Sequence, residues 1–270
     1  MHPDTEIYPY PRHLVRRTIF RFLSKIAFTI LSDLEIIGQE NLPTTGPLIV
    51  VGNHFHFGDT AAVVRATPWP VEFLGGQFLI DAPPLLKWIP ETWGYYRVRR
   101  GAASRDAMRA AQAVLAQRGV VVIFPEGGSW AEVLRPARPG TAYIAAQSGA
   151  PLLPIGFDGI PDIFRTLPKG RRAKVTIRIG KPFGPFVVAG RGRERREALD
   201  EIGHEIMRHI RTLIPPEKHG VYSDDPKLRE AAAAAAVYPW DNLAQTGPPD
   251  EPLRIGAALK DEPDLSDSAG

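Results

Sequence analysis

The sequence contains no cysteine among its 270 residues, so a disulfide framework, a thiolate metal site and a cysteine nucleophile are all excluded. It also lacks an uninterrupted apolar run of about 18 residues, which argues against an ordinary transmembrane helix. The first ten residues carry Asp4, Glu6 and two prolines, and this composition is not that of a signal peptide. With 44% hydrophobic and 23% charged residues, the chain as a whole is predicted to fold.

Charge is distributed unevenly along the chain, although the net charge is only +3. Residues 1–220 hold 29 Lys and Arg against 20 Asp and Glu, whereas residues 221–270 hold 4 against 10. The basic body indicates an anionic partner, such as nucleic acid, a phosphate-bearing metabolite or a membrane surface. The helical pattern fails after about Pro215, and Pro, Gly, Asp and Glu are abundant beyond Thr246. Residues 215–270 are therefore predicted to form an acidic tail that is largely disordered.

The N-terminal region contains a basic amphipathic stretch, RHLVRRTIFRFLSKIAFTIL, over residues 12–31. Its basic residues Arg17, Arg21 and Lys25 recur at every fourth position, as on one face of a helix. The apolar positions are Leu14, Ile19, Phe22, Leu23, Ile26 and Ile30. Such a helix can lie in a membrane interface with its cations on lipid phosphates, so residues 1–32 are predicted to dock on a membrane. The alternative is a helix packed on the domain with a solvated basic face.

Short apolar runs alternate with helical stretches between residues 33 and 214. The predicted strands cover residues 34–38, 48–52, 71–74, 119–124, 152–157 and 174–180. The predicted helices cover residues 60–66, 102–118, 141–148 and 194–213. This alternation predicts one α/β domain with parallel strand pairs.

The first motif that could carry chemistry is Gly-Asn-His-Phe-His-Phe-Gly-Asp over residues 52–59, directly after a predicted strand. Sites in α/β sheets gather at the carboxyl ends of strands. There, Asp59 could hold one nitrogen of the His54 imidazole and leave the other to act as a base. Alternatively, Asp59 caps the following helix and His54 is an ordinary loop histidine. His56 is a second-choice base.

Two further motifs suggest a pocket for an anion. Phe-Pro-Glu-Gly-Gly-Ser, residues 124–129, follows another predicted strand, and its paired glycines let the backbone approach a ligand closely. Residues 94–101 contain three arginines in four positions ahead of a helix, and guanidinium groups suit phosphate. The same residues would also fit a turn with an exposed acid and a solvated charge run.

The order of these motifs points to a family. They occur as His-x4-Asp, Gly…Arg, Phe-Pro-Glu-Gly and Leu-Pro-Ile, and in this order the sequence resembles the phospholipid/glycerol acyltransferase superfamily. The likeness is to its 1-acyl-sn-glycerol-3-phosphate (lysophosphatidic acid) acyltransferases, and it runs from about residue 36 to residue 157, more loosely to residue 182. The resemblance implies a single glycerol-phosphate-acyltransferase-type α/β domain, with a mixed, mostly parallel sheet flanked by helices.

The resemblance also implies roles for individual residues. His54 is expected to be the general base, with Asp59 orienting it. The implied substrate-binding residues are Asn53, Arg97, Arg100, Glu126, Gly127, Gly128 and Ser129. The implied reaction is O-acyl transfer from acyl-CoA or an acyl-carrier protein to a lysophospholipid hydroxyl, a step of phospholipid biosynthesis. The first expected acceptor is 1-acylglycerol-3-phosphate, and no metal or cofactor is needed. The expected location is the cytoplasmic face of a membrane, peripheral or monotopic, with an anionic membrane surface and no nucleic acid as partner.

Two departures from the family pattern leave the acceptor open. Arg97 stands where an apolar residue is usual, and Gly128-Ser129 follows Phe-Pro-Glu-Gly where Thr-Arg is common. Another lipid or glycolipid would use the same base. The sequence is also compatible with a CoA-independent transacylase or hydrolase at the same His-Asp pair, and with a non-catalytic lipid-binding protein.

Overall fold

The computed structural model describes residues 4–76, 88–98 and 104–238. The strands in these ranges are β1 (Ser32–Ile37), β2 (Leu48–Gly52), β3 (Glu72–Gly76), β4 (Tyr96–Val98), β5 (Val120–Ile123), β6 (Leu152–Asp158) and β7 (Ala173–Ile179). The helices are α1 (Leu14–Leu31), α2 (Asp59–Ala66), α3 (Trp88–Trp93), α4 (Arg105–Ala116), α5 (Pro139–Ser148), α6 (Ile160–Thr166), α7 (Gly192–Arg211), α8 (Pro226–Ala231) and α9 (Ala233–Ala236). Short 3₁₀ turns cover Gln39–Asn41, Leu167–Lys169, Pro216–Lys218 and Gly220–Tyr222.

The described strands form one seven-stranded sheet in the order β1-β7-β6-β2-β5-β3-β4. Neighbouring strands in this sheet run parallel, apart from the antiparallel pair β6 and β7. The central strand β2 pairs with β5 on one side and β6 on the other. The carboxyl ends of these three strands therefore lie at one edge of the sheet, where the first and second motifs begin. The prediction of a mixed, mostly parallel α/β sheet is confirmed.

The apolar strands of the sequence are buried because helices cover both faces of the sheet. Ile49 and Val51 of β2 pack toward a core shared with α4, α5 and α7. Leu48 and Val50 point to the opposite face and join a core with α2, α6 and Phe28 of α1. Since alternate side chains of a strand face opposite ways, a strand covered on both sides is apolar throughout.

The orientation of α1 differs from the expectation that its basic face is free to meet lipid phosphates. Arg17 is only 1% exposed, and its Nη1 lies 2.7 Å from Oε1 of the fully buried Glu72. Arg12, just before the helix, places its Nη2 2.7 Å from Oε2 of the same carboxylate. Arg21 is half-buried and donates to the carbonyl of Trp69, whereas Lys25 is exposed. A buried carboxylate at the start of β3 needs charged partners, so the basic face of α1 turns inward.

The apolar side of α1 consequently faces outward. Its exposed members are Leu14, Val15, Ile19, Phe22, Leu23, Ile26 and Ile30. No helix within the described ranges combines the length and apolar character needed to cross a bilayer.

The first part of the predicted C-terminal tail is folded onto the domain. Its segment up to Tyr238 contains two 3₁₀ turns, α8 and α9. The carbonyl of Lys218 accepts from the N–H of Leu134 at 2.9 Å, and the carbonyl of Ala235 accepts from Nε1 of Trp130 at 2.9 Å. Single residues, rather than a long periodic helix, make these contacts, so the sequence pattern gives little sign of them. Residues 239–270 of the predicted tail lie outside the described residues.

Candidate active site

His54 and Asp59 are brought together by the loop between β2 and α2. Nδ1 of His54 lies 3.1 Å from Oδ2 of Asp59, which is buried. The same oxygen accepts the backbone N–H groups of Phe55 and His56, each at 2.8 Å. Asp59 is the first residue of α2, and Gly58 occupies the capping position. The Asp59 carboxylate therefore closes the loop onto His54, and helix capping does not describe its role.

The His54 ring is also held from one face. It stacks on Phe124 with ring centroids 4.1 Å apart and an interplanar angle of 16°. Phe124 directly follows β5, the neighbour of β2, so the sheet register creates this contact. The His54 side chain is 14% exposed, which leaves it accessible to a substrate. With Nδ1 directed at Asp59, Nε2 is the nitrogen available to take a proton.

His56 occupies a different environment. Its ring lies against Phe57 and Phe164, with centroids 4.1 Å and 4.8 Å away, and its Nδ1 accepts the N–H of Gly58 at 3.1 Å. Asp59 meets the backbone N–H of His56. The geometry therefore favours His54 over His56 as the base.

Glu126 is fully buried and bonded to protein groups through both carboxylate oxygens. Oε1 accepts the backbone N–H of His54 at 2.8 Å. Oε2 accepts from Nε of Arg135 at 2.6 Å and from the backbone N–H of Arg135 at 3.2 Å. Burial raises the pKa of Glu126, while the charge of Arg135 opposes that rise. Glu126 thus holds the loop of His54, and the substrate contact that the resemblance implies for it stays a prediction.

Arg135 is the residue of this site that sequence reasoning missed. It lies in the loop between β5 and α5, is 1% exposed, and donates from Nη2 to the carbonyls of His54 (2.7 Å) and Gly128 (3.0 Å). The local sequence around it, Leu-Arg-Pro-Ala-Arg, has no feature that marks a buried arginine. Its ion-pair partner Glu126 could be identified only from the fold, which places residues 52–59 and residues 124–129 side by side.

Asn53 is likewise buried, and both of its side-chain polar atoms bind Phe157. Nδ2 donates to the Phe157 carbonyl at 2.9 Å, and Oδ1 accepts the Phe157 N–H at 2.8 Å. These bonds join the end of β2 to β6, so Asn53 supports the edge of the sheet that carries His54. The contact between Asn53 and a substrate stays a prediction.

The glycine-rich turn follows Glu126 at the same edge. Gly127 has φ +77°, a conformation that favours glycine, and its N–H donates to the Phe124 carbonyl at 3.0 Å. Gly128 is buried and Ser129 is half-buried. No three His, Asp or Glu side chains within the described ranges come together as a possible metal site.

Arg97 is the member of the predicted arginine cluster that the structure describes. Arg97 sits on β4, which is separated from β2 by β3 and β5, and its Nη2 is 2.9 Å from Oε2 of Glu91. Glu91 also accepts from the hydroxyl of Tyr95 at 3.3 Å, and burial raises the pKa of Tyr95 to about 12. Arg100, the other predicted phosphate ligand, lies outside the described residues.

Two curated acyltransferases are similar in sequence to part of this chain. A 1-acyl-sn-glycerol-3-phosphate acyltransferase of Brassica napus chloroplasts, BAT2, is 26% identical over 190 residues, which are 67% of this chain and 54% of that protein. The mouse 1-acyl-sn-glycerol-3-phosphate acyltransferase alpha is 28% identical over 138 residues, 48% of this chain and 47% of that protein. The chain thus spans about half the length of the curated relatives it matches.

The fold is shared with a solved acyltransferase. The crystal structure of the 1-acyl-sn-glycerophosphate (LPA) acyltransferase PlsC from Thermotoga maritima superposes with a TM-score of 0.50. The two sequences are 24% identical, and the match covers 75% of this chain and 84% of that one. A model of the acyltransferase family matches residues 33–158, from β1 to the end of β6. Residues 33–158 thus match the acyltransferase family, and the relatives confirm the resemblance of this chain to the superfamily of the 1-acyl-sn-glycerol-3-phosphate acyltransferases.

Proposed function

We propose that this protein transfers a fatty acyl group from acyl-CoA or an acyl-carrier protein to a hydroxyl of a lysophospholipid, with 1-acylglycerol-3-phosphate as the first candidate acceptor. The observation that carries the proposal is the 3.1 Å contact between His54 and Asp59 at the carboxyl end of β2, in a domain of the acyltransferase family. The His54 ring is oriented from two sides and remains partly exposed, as a general base must be.

The proposed reaction needs only one proton-transfer group. Nε2 of His54 takes the proton of the acceptor hydroxyl as the oxygen attacks the thioester carbonyl. Asp59 stabilises the imidazolium that forms. The tetrahedral intermediate collapses, the carbon–sulfur bond breaks, and the imidazolium returns the proton to the leaving thiolate. The products are an ester and a free thiol, and no acyl group is attached to the protein.

The acceptor is tested by acyl transfer from radiolabelled palmitoyl-CoA, or from palmitoyl-acyl-carrier protein, to a panel of lysolipids. We expect labelled phosphatidic acid from 1-acylglycerol-3-phosphate, and slower product formation from lysolipids with larger head groups. Product from a different lysolipid alone would replace the acceptor and keep the reaction class. Thioester loss with water as the sole acceptor would contradict acyl transfer and indicate a hydrolase.

The outward apolar side of α1 supports peripheral or monotopic attachment to a bilayer as a second part of the proposal. Contiguous exposed apolar surface marks an interaction site, and an exposed lysine among aliphatic and aromatic side chains suits a lipid interface. Trp88 of α3 is exposed as well and lies 5.8 Å, centroid to centroid, from Phe20. A lipid surface fits this face because the proposed acceptor is a lipid. The proposed side is the cytoplasmic one, where acyl thioesters are made.

Nucleic acid is a weaker explanation of the basic body. Arg12 and Arg17 are buried on Glu72, so these two arginines cannot meet a polyphosphate backbone. We therefore propose an anionic membrane surface as the partner. Of the series Arg17, Arg21 and Lys25 on α1, the exposed Lys25 is the cation that can meet lipid phosphates.

Membrane attachment is expected to depend on the apolar side of α1. Ile19→Asp/Phe22→Asp should lower partitioning onto phosphatidylcholine–phosphatidylglycerol vesicles by about 10-fold or more, since burying one such side chain contributes about 1.5–3 kcal/mol. Val187→Asp is the matched control, because Val187 is also exposed but follows β7. Vesicle co-sedimentation measures both. Equal losses in the two proteins would contradict a specific role for α1.

A further inference from the structure

The buried guanidinium of Arg135 has an unusual set of partners. Its Nε meets Glu126 at 2.6 Å, and its Nη2 meets the carbonyls of His54 at 2.7 Å and Gly128 at 3.0 Å. Its Cζ lies 4.1 Å from the centroid of the Trp130 ring. Planar, forked donors of this kind fix the relative positions of the acceptors they bridge.

These contacts close around the backbone of His54. The N–H of His54 donates to Oε1 of Glu126 at 2.8 Å, while its carbonyl accepts from Arg135. Both main-chain polar groups of His54 are thus bound by the two members of one ion pair. Asp59 holds the ring independently through Nδ1. The position of Nε2 therefore depends on two separate restraints, one on the imidazole and one on the main chain that carries it.

The side chains around Arg135 shield from water the hydrogen bonds that it and Glu126 make to the His54 backbone. Trp130 covers the guanidinium and donates a hydrogen bond to the carbonyl of Ala235. Its ring also makes a T-shaped contact with Tyr238, with ring centroids 5.4 Å apart. Hydrogen bonds between charged groups are strongest when water is excluded. The folded C-terminal segment thus contributes to the pair indirectly, by holding Trp130 over the guanidinium.

Arg135 is poorly placed to bind a substrate phosphate directly. It is 1% exposed, and its Nε and Nη2 already serve protein acceptors. Its Nη1 is buried without a hydrogen-bond partner among the described residues. A buried donor without a partner lowers stability, so a contribution to stability alone does not explain why an arginine stands at this position.

We propose that Arg135 is a positioning residue for His54, which acts through Glu126 and the His54 carbonyl to set where the base stands at the end of β2. This inference rests on the proposed acyl transfer. A displacement of about 1 Å in a reacting group can cost about 10²-fold in rate. Arg135→Met, which keeps an apolar stem, should therefore lower kcat about 10²-fold and change the acceptor KM by less than about threefold.

A pH profile separates positioning from mere structural support. The charged or titratable groups that face Glu126 are Arg135, His54 and Tyr222. Without Arg135, the pKa of the buried Glu126 carboxyl rises further, because the opposing cation is gone. Only the ionised carboxylate binds the His54 N–H strongly, so activity persists at high pH and is lost as pH falls through the raised pKa. The acid limb of kcat/KM should move to higher pH in Arg135→Met.

Arg135→Lys is the conservative variant and the safeguard against misfolding. A lysine keeps the charge for Glu126, but one ammonium cannot serve Glu126, His54 and Gly128 in the same geometry. We expect kcat to fall about 10-fold, with an acid limb close to that of the unmodified protein. Arg165→Met is the control, because Arg165 pairs with Glu132 of the same loop at the exposed surface. Kinetics of the control should be unchanged.

A readout without turnover makes the inference independent of the acceptor. In protein labelled with ¹³C,¹⁵N-histidine, the His54 ring resonances, assigned with His54→Gln, should shift or broaden in Arg135→Met, while those of His204 on α7 stay in place. If the His54 resonances change in Arg135→Met but the unmodified protein transfers no acyl group, the positioning role of Arg135 stands and the proposed function fails. Unchanged His54 resonances and kcat within about threefold in folded Arg135 variants would overturn the inference. An effect of the Arg135 variants on the acceptor KM alone would also overturn the inference, because it would indicate that Arg135 binds the substrate.

Discussion

Replacement of His54 by Ala is expected to lower the rate of acyl transfer by about 10²–10⁴-fold, the usual contribution of a positioned general base. Nδ1 of the His54 imidazole lies 3.1 Å from the Asp59 carboxylate, so this ring is oriented to act as the base. The measurement is initial-rate formation of labelled phospholipid at saturating donor. The circular dichroism spectrum should not change, since His54 is a loop residue whose ring covers one face of Phe124.

His56→Ala is the comparison that makes this result specific. Its ring packs among Phe57 and Phe164, so its removal should leave most of the activity. The reverse pattern, with activity lost in His56→Ala and kept in His54→Ala, would transfer the role of base to His56. Full activity in both variants would remove imidazole chemistry from the mechanism.

Glu72→Gln is expected to lower the free energy of unfolding by about 3–5 kcal/mol, because removal of one partner from a buried ion pair leaves a charge without compensation. Here two guanidinium groups lose their carboxylate, and both also share the carbonyl of Gly94 as an acceptor. The distances to that carbonyl are 3.1 Å for Arg12 and 3.2 Å for Arg17. Urea denaturation followed by tryptophan fluorescence measures the effect.

Glu197→Gln is the matched control for the stability prediction. Glu197 pairs with Arg193 along α7 at 3.0 Å, and both side chains are exposed. Exposed pairs contribute little, so this variant should unfold at nearly the same urea concentration as the unmodified protein. A Glu72→Gln protein as stable as the control would mean that apolar contacts alone hold α1. Glu72 begins β3 at the edge opposite to His54, so the folded variant should keep its kcat on detergent-dispersed substrate.

Much of the sheet could be predicted because its signals are local. The run Leu48–Gly52 is apolar at every position, and the predicted bounds of this strand agree with β2. The helix α6 was missed, because seven residues with a proline in the first turn show too little periodicity. The three-residue β4 lies within the arginine cluster, where charge obscures the pattern of a strand.

The amino-acid sequence was enough to predict the alternation of strands and helices and the resemblance to acyltransferases. It also predicted the nearness of His54 to Asp59, since these two residues are separated by one short loop. The tertiary structure was needed to establish which way α1 faces, because Glu72 lies 55 residues from Arg17. It also decided that Asn53 binds Phe157, 104 residues away, and that Arg135 reaches the carbonyl of His54 across 81 residues. Burial makes a charged or polar group depend on whichever partner the fold places beside it, and no local pattern records that partner.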